Sequence, residues 1–517
     1  MRLTLGEVLA SSARKYPHKE AVVFQDFRLT YKHLDERANR LGNMLLGRGL
    51  QKGDRCAIFL YNRGEWAEIY FGLAKSGIVA VPVNFRFTLA EVKHILGNSE
   101  VKALIYDEAF APIVDELRKE PGAIDFIAIS PTPQAASPYE ELLSRASASP
   151  PVAAVAETDP FFIAYTSGTT GFPKGALIPH RHLIDHYVVT AKMYGNLSHR
   201  DRQLLIMPVF HSNSTWFLQI MVMLGGTAVI HHSGGFDAEE IIRIVGKERI
   251  TMTSLVPTML SMILSLPRAI KDKYDVSSLT RLLASSAPLM TRTKEETLQY
   301  FKGVELFEGY GSTETGSVTV LGPEDQLAKV RSVGLPAPGK EIRLLDDEGN
   351  DVKPGAIGEI YVKGFGVLLQ EYWRNPKDTS DAFRGAWCTV GDMARMDEEG
   401  YVYLEDRKKE MIISGGENVY PSEVENVLVK HPSILEAAVV GIPDEHWGEK
   451  VHASLVTRQG AQVGVEDLLE FCRDKLAGYK RPRSIEIVAE LPKSPTGKIL
   501  RRKVRERYWR DTNSLYH

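Results

Sequence analysis

The chain has 517 residues, of which 44% are hydrophobic and 25% charged, with a formal net charge of −3. At roughly 100–200 residues per domain this length suggests two to four domains with a large buried core, and the balance leaves no basic excess to make nucleic acid or an anionic membrane the main partner. The three cysteines, Cys56, Cys388 and Cys472, lie far apart with neither a CxxC pair nor zinc spacing, which points to a reduced, cytoplasmic protein.

The N-terminus, Met1-Arg-Leu-Thr-Leu-Gly-Glu7, lacks the apolar core of a signal peptide. From there helical patterns alternate with short apolar runs: residues 34–46, 55–60, 65–75, 78–83 and 103–106. Such alternation predicts an α/β layer with a largely parallel sheet. Residues 130–158, rich in Pro, Ala and Ser, read as a surface connection. The α/β rhythm resumes at 161–165, 202–207, 227–231, 252–255 and 280–284. The longest apolar run, 217–230, is too short to span a bilayer and contains Gly225-Gly226, so it predicts a buried helix followed by a strand. From about Val333 short strands separated by Asp347-Glu-Gly349, Lys353-Pro-Gly355 and Glu398-Glu-Gly400 predict a β-rich subdomain. A compact α+β pattern then follows, with helices at 423–429 and 465–476 and strands at 437–441, 453–457 and 485–488. The expected organisation is an α/β N-terminal domain over 1–408, made of two α/β subdomains and a β-rich one, and a small mobile α+β domain over 409–517.

The strongest chemical signal is Tyr165-Thr-Ser-Gly-Thr-Thr-Gly-Phe-Pro-Lys-Gly175, which directly follows an apolar strand. Seven of its eleven residues are Gly, Ser or Thr. Small residues let backbone N–H groups approach a phosphate, hydroxyls add donors, and Lys174 adds a positive point charge. A Gly/Ser-rich surface turn is the competing reading of composition alone. The segment is not a P-loop of the Gly-x4-Gly-Lys-Ser/Thr type, because Pro173 stands five residues after Gly168, and Gly497-Lys498 fails the same test.

This loop resembles the phosphate loop of the adenylate-forming superfamily, which includes acyl-CoA synthetases, peptide-synthetase adenylation domains and beetle luciferases. Further segments resemble that superfamily's motifs in the right order: Pro208-Val-Phe-His211, Tyr310-Gly-Ser-Thr-Glu314, Gly391-Asp392, Asp406-Arg-Lys-Lys-Glu-Met-Ile-Ile-Ser-Gly-Gly-Glu-Asn-Val-Tyr-Pro421, and Pro492-Lys-Ser-Pro-Thr-Gly-Lys498. One departure is Cys388-Thr-Val390 ahead of Gly391, where Thr-Gly is commoner.

The resemblance implies an AMP-forming acid:CoA ligase that uses ATP, Mg²⁺ and coenzyme A. Thr166, Ser167, Gly168, Thr169, Thr170, Gly171 and Lys174 would hold phosphates. Tyr310 would stack on adenine, whose edge would be read around Ser286, Ala287 and Pro288 and at Glu308, Gly309 and Gly311. Asp392 would accept both ribose hydroxyls, helped by Arg407. Thr313 would donate to the α-phosphate, and Glu314 is the expected Mg²⁺ ligand, since Mg²⁺ takes one or two carboxylates plus phosphate oxygens and water.

Attack of a carboxylate on the α-phosphorus brings two anions together, and Lys498 would cancel that charge. Lys409 resembles the lysine variant of the hinge about which the C-terminal domain turns between half-reactions; many relatives carry Asp. Ser414, Gly415 and Gly416 would line a pantetheine tunnel, while Trp447, Tyr479, Arg481 and Arg483 match places that hold the CoA nucleotide. His211 would gate either the acyl pocket or the thiol's path, and Ser212, Asn213 and Trp216 would border that pocket. Acetate-specific relatives carry Trp at the position of Gly311, so glycine implies a deeper cavity for a medium- or long-chain fatty acid or an aromatic acid. A loader of carrier-protein thiols is the alternative, disfavoured by the absence of a carrier domain and by the Trp447, Arg481 and Arg483 set. The expected partners are the small-molecule acid, ATP and CoA, with no nucleic acid and no integral membrane segment; the residues leave the oligomeric state open, a homodimer being one alternative.

Overall fold

The structure is a computed structural model that describes residues 3–120, 122–132, 136–166, 173–285, 289, 291–407, 410–414, 417–444, 447–473, 475–476, 478–493 and 499–509. The chain divides into two units, Met1–Glu341 with Val362–Cys388, and Ile342–Tyr361 with Thr389–His517. The sequence-predicted boundary at 408/409 falls inside the second unit.

The first unit holds two large sheets. One has seven strands in the order Glu371–Tyr372, Lys174–Pro179, Pro160–Thr166, Val79–Pro82, Arg55–Phe59, Val101–Asp107 and Asp125–Ile129. Its last five strands are mutually parallel, and the first two are antiparallel additions. The other has nine strands and a parallel centre running through Glu20–Phe24, Thr227–Ile230, Arg202–Leu205, Met252–Leu255, Arg281–Ala284 and Glu305–Ser312. Each sheet is covered on both faces, which is why its strands read as near-continuous apolar runs.

Strand alternation sorts these side chains. Cys56 and Ile58 join Trp66, Tyr70, Leu218 and Met221 in the largest core, whereas Ala57 and Phe59 pack with Val92, Ile95 and Val114 on the opposite face. Helices Tyr31–Gly47, Glu65–Ser76, His180–Met193 and Ser212–Leu224 contribute to that largest core, which draws residues from both sheets. A second apolar layer, including Ile241, Ile242, Val245 and Leu260, covers the other face of the nine-stranded sheet against Val23, Leu204 and Val229.

The Pro/Ala/Ser-rich stretch is not wholly irregular. It contains helix Pro138–Arg145, capped by Ser137, whose hydroxyl accepts from Glu140 N. Tyr139 and Leu143 are buried, and the following turn is held by Asn39, Arg40 and Asn43, which donate to carbonyls at 144, 146, 147, 148 and 149. Composition signalled the connection, while tertiary packing supplied the helix.

In the second unit, Asp392–Met396 pairs antiparallel with Val402–Arg407 on one side and with residues 357–359 on the other. Beyond them a five-stranded sheet runs Glu417–Val419, Ile412–Ser414, Gly448–Thr457 and Ile434–Asp444, with Ser484–Ile487 parallel to Gly448–Thr457. Helices Pro421–Leu428 and Val465–Arg473 pack Val424, Leu428 and Leu468 against Val439, Val451 and Leu455; helix Arg501–Trp509 puts Val504 on the other face with Val440 and Ile442. The α/β fold with a smaller α+β C-terminal part is the one the sequence predicts. No helix among the described residues is long and apolar enough to cross a membrane. Cys56, Cys388 and Cys472 are buried free thiols.

Candidate functional site

Strands Pro160–Thr166 and Lys174–Pro179 form an antiparallel pair in which Thr166 faces Lys174. The two ends of the glycine-rich loop are thus brought together; Ser167, Gly168, Thr169, Thr170 and Gly171 lie outside the described residues. Thr166 Oγ1 donates to Glu314 Oε1 at 3.1 Å, and Tyr372 OH donates to the same oxygen at 2.9 Å. Glu314 is buried, so its carboxylate depends on these bonds for solvation. Tyr372 belongs to the two-residue edge strand that pairs with Ala176 and Leu177, and its ring lies 5.6 Å from Lys174 Nζ. Lys174 also forms an ion pair with Asp378. Thr166 at the base of the glycine-rich loop, Tyr372 and Glu314 therefore share one hydrogen-bonded junction, with Lys174 beside the Tyr372 ring.

The turn carrying Glu314 is built by short polar side chains. Ser312 Oγ accepts from Glu314 N at 3.2 Å and from Thr315 N at 3.1 Å. Leu368 N and Leu369 N donate to the Glu314 carbonyl at 3.0 and 2.7 Å. Gly316 has φ +66°, which favours glycine, and a β-carbon there would press on the Gly366 carbonyl and His186. Lys340 is buried beneath this turn, and its Nζ donates to the Thr315 carbonyl at 2.8 Å. Burial pulls the Lys340 ammonium down from 10.5 to about 7, against a smaller opposing effect of Cys388. The Cys388 thiol is pushed up to about 12 by burial, with Glu314 adding to the effect.

Thr313 Oγ1 donates to Ser212 Oγ at 3.5 Å, joining the turn to the start of helix Ser212–Leu224. His211 caps that helix, its Nδ1 accepting from Asn213 N at 3.3 Å. Burial pulls His211 down to about 4, so the ring is neutral near pH 7, with its proton on Nε2. Asn213 Nδ2 donates to Ser254 Oγ at 3.1 Å and to Ser285 Oγ at 3.3 Å, linking the C-terminal ends of two parallel strands. Crevices at such strand ends are where open α/β sheets bind ligands. Trp216 meets His186 edge-on with centroids 4.5 Å apart.

Tyr310 and Gly311 lie on Glu305–Ser312, opposite Thr319 and Ser317, with a register shift between them. A β-carbon on Gly311 would collide with the Gly316 carbonyl oxygen. In this backbone the two strands approach each other there too closely for a β-carbon. Glu308 is buried against Lys294 and accepts from Leu289 N at 3.3 Å; burial raises its pKa, opposed by Lys294. Gly309 packs where a β-carbon would strike the Tyr194 hydroxyl. Ser286, Ala287 and Pro288 lie outside the described residues.

In the second unit, Asp392 stands directly opposite Arg407 in the antiparallel ladder. The turn before it has Gly391 at φ +78°, with Gly391 N donating to Thr389 Oγ1 at 3.0 Å. Ser414 pairs with Gly448, the residue after Trp447, which brings two of the CoA candidates into one register. Arg483 places its guanidinium 4.0 Å from the Trp447 ring centroid, and Arg483 N donates to Val451 O at 2.8 Å. Arg481 Nε donates to Leu476 O at 2.9 Å, and Tyr479 packs against the C-terminal core. Lys409, Gly415, Gly416 and Lys498 lie outside the described residues. Lys493 and Ile499 form an antiparallel bridge on either side of the Lys498 segment, and Arg501 pairs with Glu410 at 2.8 Å and Glu425 at 2.6 Å.

Sequence reasoning missed Tyr372, Asp378, Lys340 and Ser254. None sits in a motif with its own chemistry; the Tyr372-Trp373 pair ahead of Asn375-Pro376 looks like an ordinary turn entry.

The family description "AMP-binding enzyme" matches residues 9–373, and "AMP-binding enzyme C-terminal domain" matches 423–498. The chain is 35% identical to the long-chain-fatty-acid–CoA ligase FadD13 of Mycobacterium tuberculosis over 98% of both chains. It is 35% identical to the fatty acid–[acyl-carrier-protein] ligase ScoC of Streptomyces coeruleorubidus, over 98% of this chain and 97% of that one. It is 36% identical to a feruloyl-CoA synthase of Amycolatopsis, over 98% and 99%. Among solved structures, ATP-bound MatB from Rhodopseudomonas palustris superposes with a TM-score of 0.91 at 28% identity, over 99% of this chain and all of that one.

The buried lysine under the Glu314 turn gives a pH signature. Folded Lys340 releases its proton near pH 7, whereas the unfolded chain holds it to about 10.5. The unfolded state therefore binds more protons across this window, and the penalty for burying a charged Lys340 fades as pH rises from 7 to 10. Denaturant unfolding of Lys340→Met beside the parent should show the variant losing ground by on the order of 1 kcal/mol per pH unit across that window. A stability difference independent of pH would show that Lys340 stays charged.

Proposed function

This chain belongs to the AMP-binding enzyme family and is an AMP-forming acid–CoA ligase using ATP; from that premise we propose how its residues divide the reaction and which acids it takes. The observation that carries the assignment is the junction at Glu314, where the base of the glycine-rich loop and Tyr372 share one carboxylate oxygen.

In the first half-reaction an acid carboxylate attacks the α-phosphorus of ATP and pyrophosphate leaves. Thr166–Lys174 grips the phosphates, and Thr313 donates to the α-phosphate. Glu314 is the proposed Mg²⁺ ligand. The donor set fits, because Oε1 is committed to Thr166 and Tyr372 while the carboxylate's second oxygen suits a hard cation. A bound Mg²⁺ would offset phosphate charge. Lys498 bridges the attacking carboxylate and the α-phosphate. Asp392 and Arg407, opposite each other in one ladder, suit a ribose diol.

In the second half-reaction the CoA thiol attacks the acyl carbon and AMP leaves. Lys409 is the proposed hinge between the two steps. Ser414 and the Trp447–Arg483 stack suit the CoA arm, the indole offering a face to adenine and the guanidinium edge a donor to phosphate. His211, neutral near pH 7, orients the helix bordering the acid rather than moving a proton.

The acid is proposed to be a medium- or long-chain fatty acid or an aromatic acid, the classes named for FadD13 and feruloyl-CoA synthase. The likeness to ScoC supports a second reading, transfer to a carrier-protein thiol. Three buried free thiols accord with a cytoplasmic setting.

A panel of acids differing in length and ring content, read by pyrophosphate release, tests the acid class. Activity confined to acetate would contradict it. Free CoA should be acylated at a rate matching AMP formation; acylation of carrier protein alone would favour the second reading. Lys498→Ala should lower adenylation by about 10²–10³-fold yet still thioesterify a supplied acyl-adenylate; equal loss in both steps would remove its role. Trp447→Ala should raise the KM for CoA about tenfold and leave single-turnover pyrophosphate release unchanged. Equal effects on both would make Trp447 a packing residue.

A further inference from the structure

Strand Thr227–Ile230 runs out into His231 and His232, and helix Ala238–Lys247 brings Glu240 back over the same end. Both imidazole Nε2 atoms converge on one oxygen, Glu240 Oε2, at 3.2 Å from His231 and 3.1 Å from His232. The rings lie 4.4 Å apart at 32°, and the three ligand-type atoms fall within 4.8 Å of one another. A cavity of about 170 Å³ opens beside them, lined also by Gln25, Asp26 and Lys247. We propose that His231, His232 and Glu240 form a site for a divalent transition-metal cation of the Zn²⁺ type, distinct from the nucleotide site.

Two imidazoles and a carboxylate are a borderline-soft donor set that favours Zn²⁺ over Mg²⁺, and three protein ligands leave a fourth position for water from the cavity. Around tetrahedral Zn²⁺ neighbouring donors stand about 3.4 Å apart, given bonds of about 2.0–2.1 Å. The two N···O separations are already near that value. Only the His231–His232 spacing has to close, and His232 is the more exposed of the two rings, so its adjustment disturbs less packing.

The surroundings hold the donors in place. Glu240 Oε1 accepts from Arg243 at 3.2 Å, which orients the carboxylate with Oε2 toward the rings. His231 is buried, and Asn62 donates from Nδ2 to its carbonyl at 3.0 Å and from N to Ser233 Oγ at 2.7 Å. One contact must change: Gly234 N donates to His232 Nδ1 at 2.9 Å, and ligation through Nε2 moves the proton to Nδ1. That bond is solvent-exposed, so water replaces it at a cost of at most about tenfold in affinity.

The test uses the full chain, stripped with EDTA, dialysed and free of nucleotide. Calorimetric titration with Zn²⁺ alone should show one equivalent bound at micromolar concentration, and Co²⁺ should give the intense visible bands of four-coordinate geometry. His232→Ala and Glu240→Gln alter partly exposed side chains and should each weaken Zn²⁺ binding at least tenfold while retaining the parent's circular dichroism and pyrophosphate release. No uptake by the parent at micromolar Zn²⁺, or uptake unchanged in both variants, overturns the site.

Discussion

A single carboxylate oxygen, Glu314 Oε1, ties together three stretches of chain that are far apart in sequence. Thr166 closes the first strand of the phosphate hairpin, Tyr372 lies on the edge strand that lengthens that sheet, and Glu314 rides a turn leaving the other sheet. A buried carboxylate without donors would cost several kcal/mol, so each partner has a stability reason to stay as well as a chemical one. These bonds hold the Glu314 carboxylate in one orientation within the fold, which is the kind of fixed geometry that the proposed cation role would require.

The sheets explain why this junction can exist. Parallel strands covered on both faces place their C-terminal ends in one region of each sheet; Thr166 and Ser254 stand at such ends, and the segments leaving them carry His211, Ser285 and Thr313. Beneath the surface the turn is braced by unusual residues. Lys340 reaches up from below to the Thr315 carbonyl, and Gly311 and Gly316 remove side chains where strands and carbonyls approach too closely for a β-carbon. The second unit keeps its own polar framework, with Arg501 pairing to Glu410 and Glu425 beside the segment that carries Lys498.

Much of this was legible in the sequence because the relevant signals are local. Apolar runs bounded by turns became strands within a few residues of expectation, as at Arg55–Phe59 and Met252–Leu255, and the glycine-rich loop stood out through its place in an ordered set of motifs rather than by composition alone. Residues whose roles depend on a distant partner were not legible. Tyr372 acts 58 positions away from Glu314, and Lys340 looks like any charged residue opening a strand until its burial is seen. Helix Pro138–Arg145 was hidden because its stability comes from Tyr139 and Leu143 packing rather than from composition. Gly311 shows the same limit: its close approach to the Gly316 carbonyl depends on the pairing of two strands and is seen only in the fold.

The keystone is tested most directly by a double-mutant cycle between Tyr372→Phe and Glu314→Gln, measuring kcat/KM for ATP in acid-dependent pyrophosphate release. If Tyr372 acts by holding the Glu314 carboxylate, the double variant should be scarcely worse than Glu314→Gln alone, with a coupling energy of about 1–2 kcal/mol. Losses that simply multiply would mean the two residues act independently, and the junction would no longer account for the site.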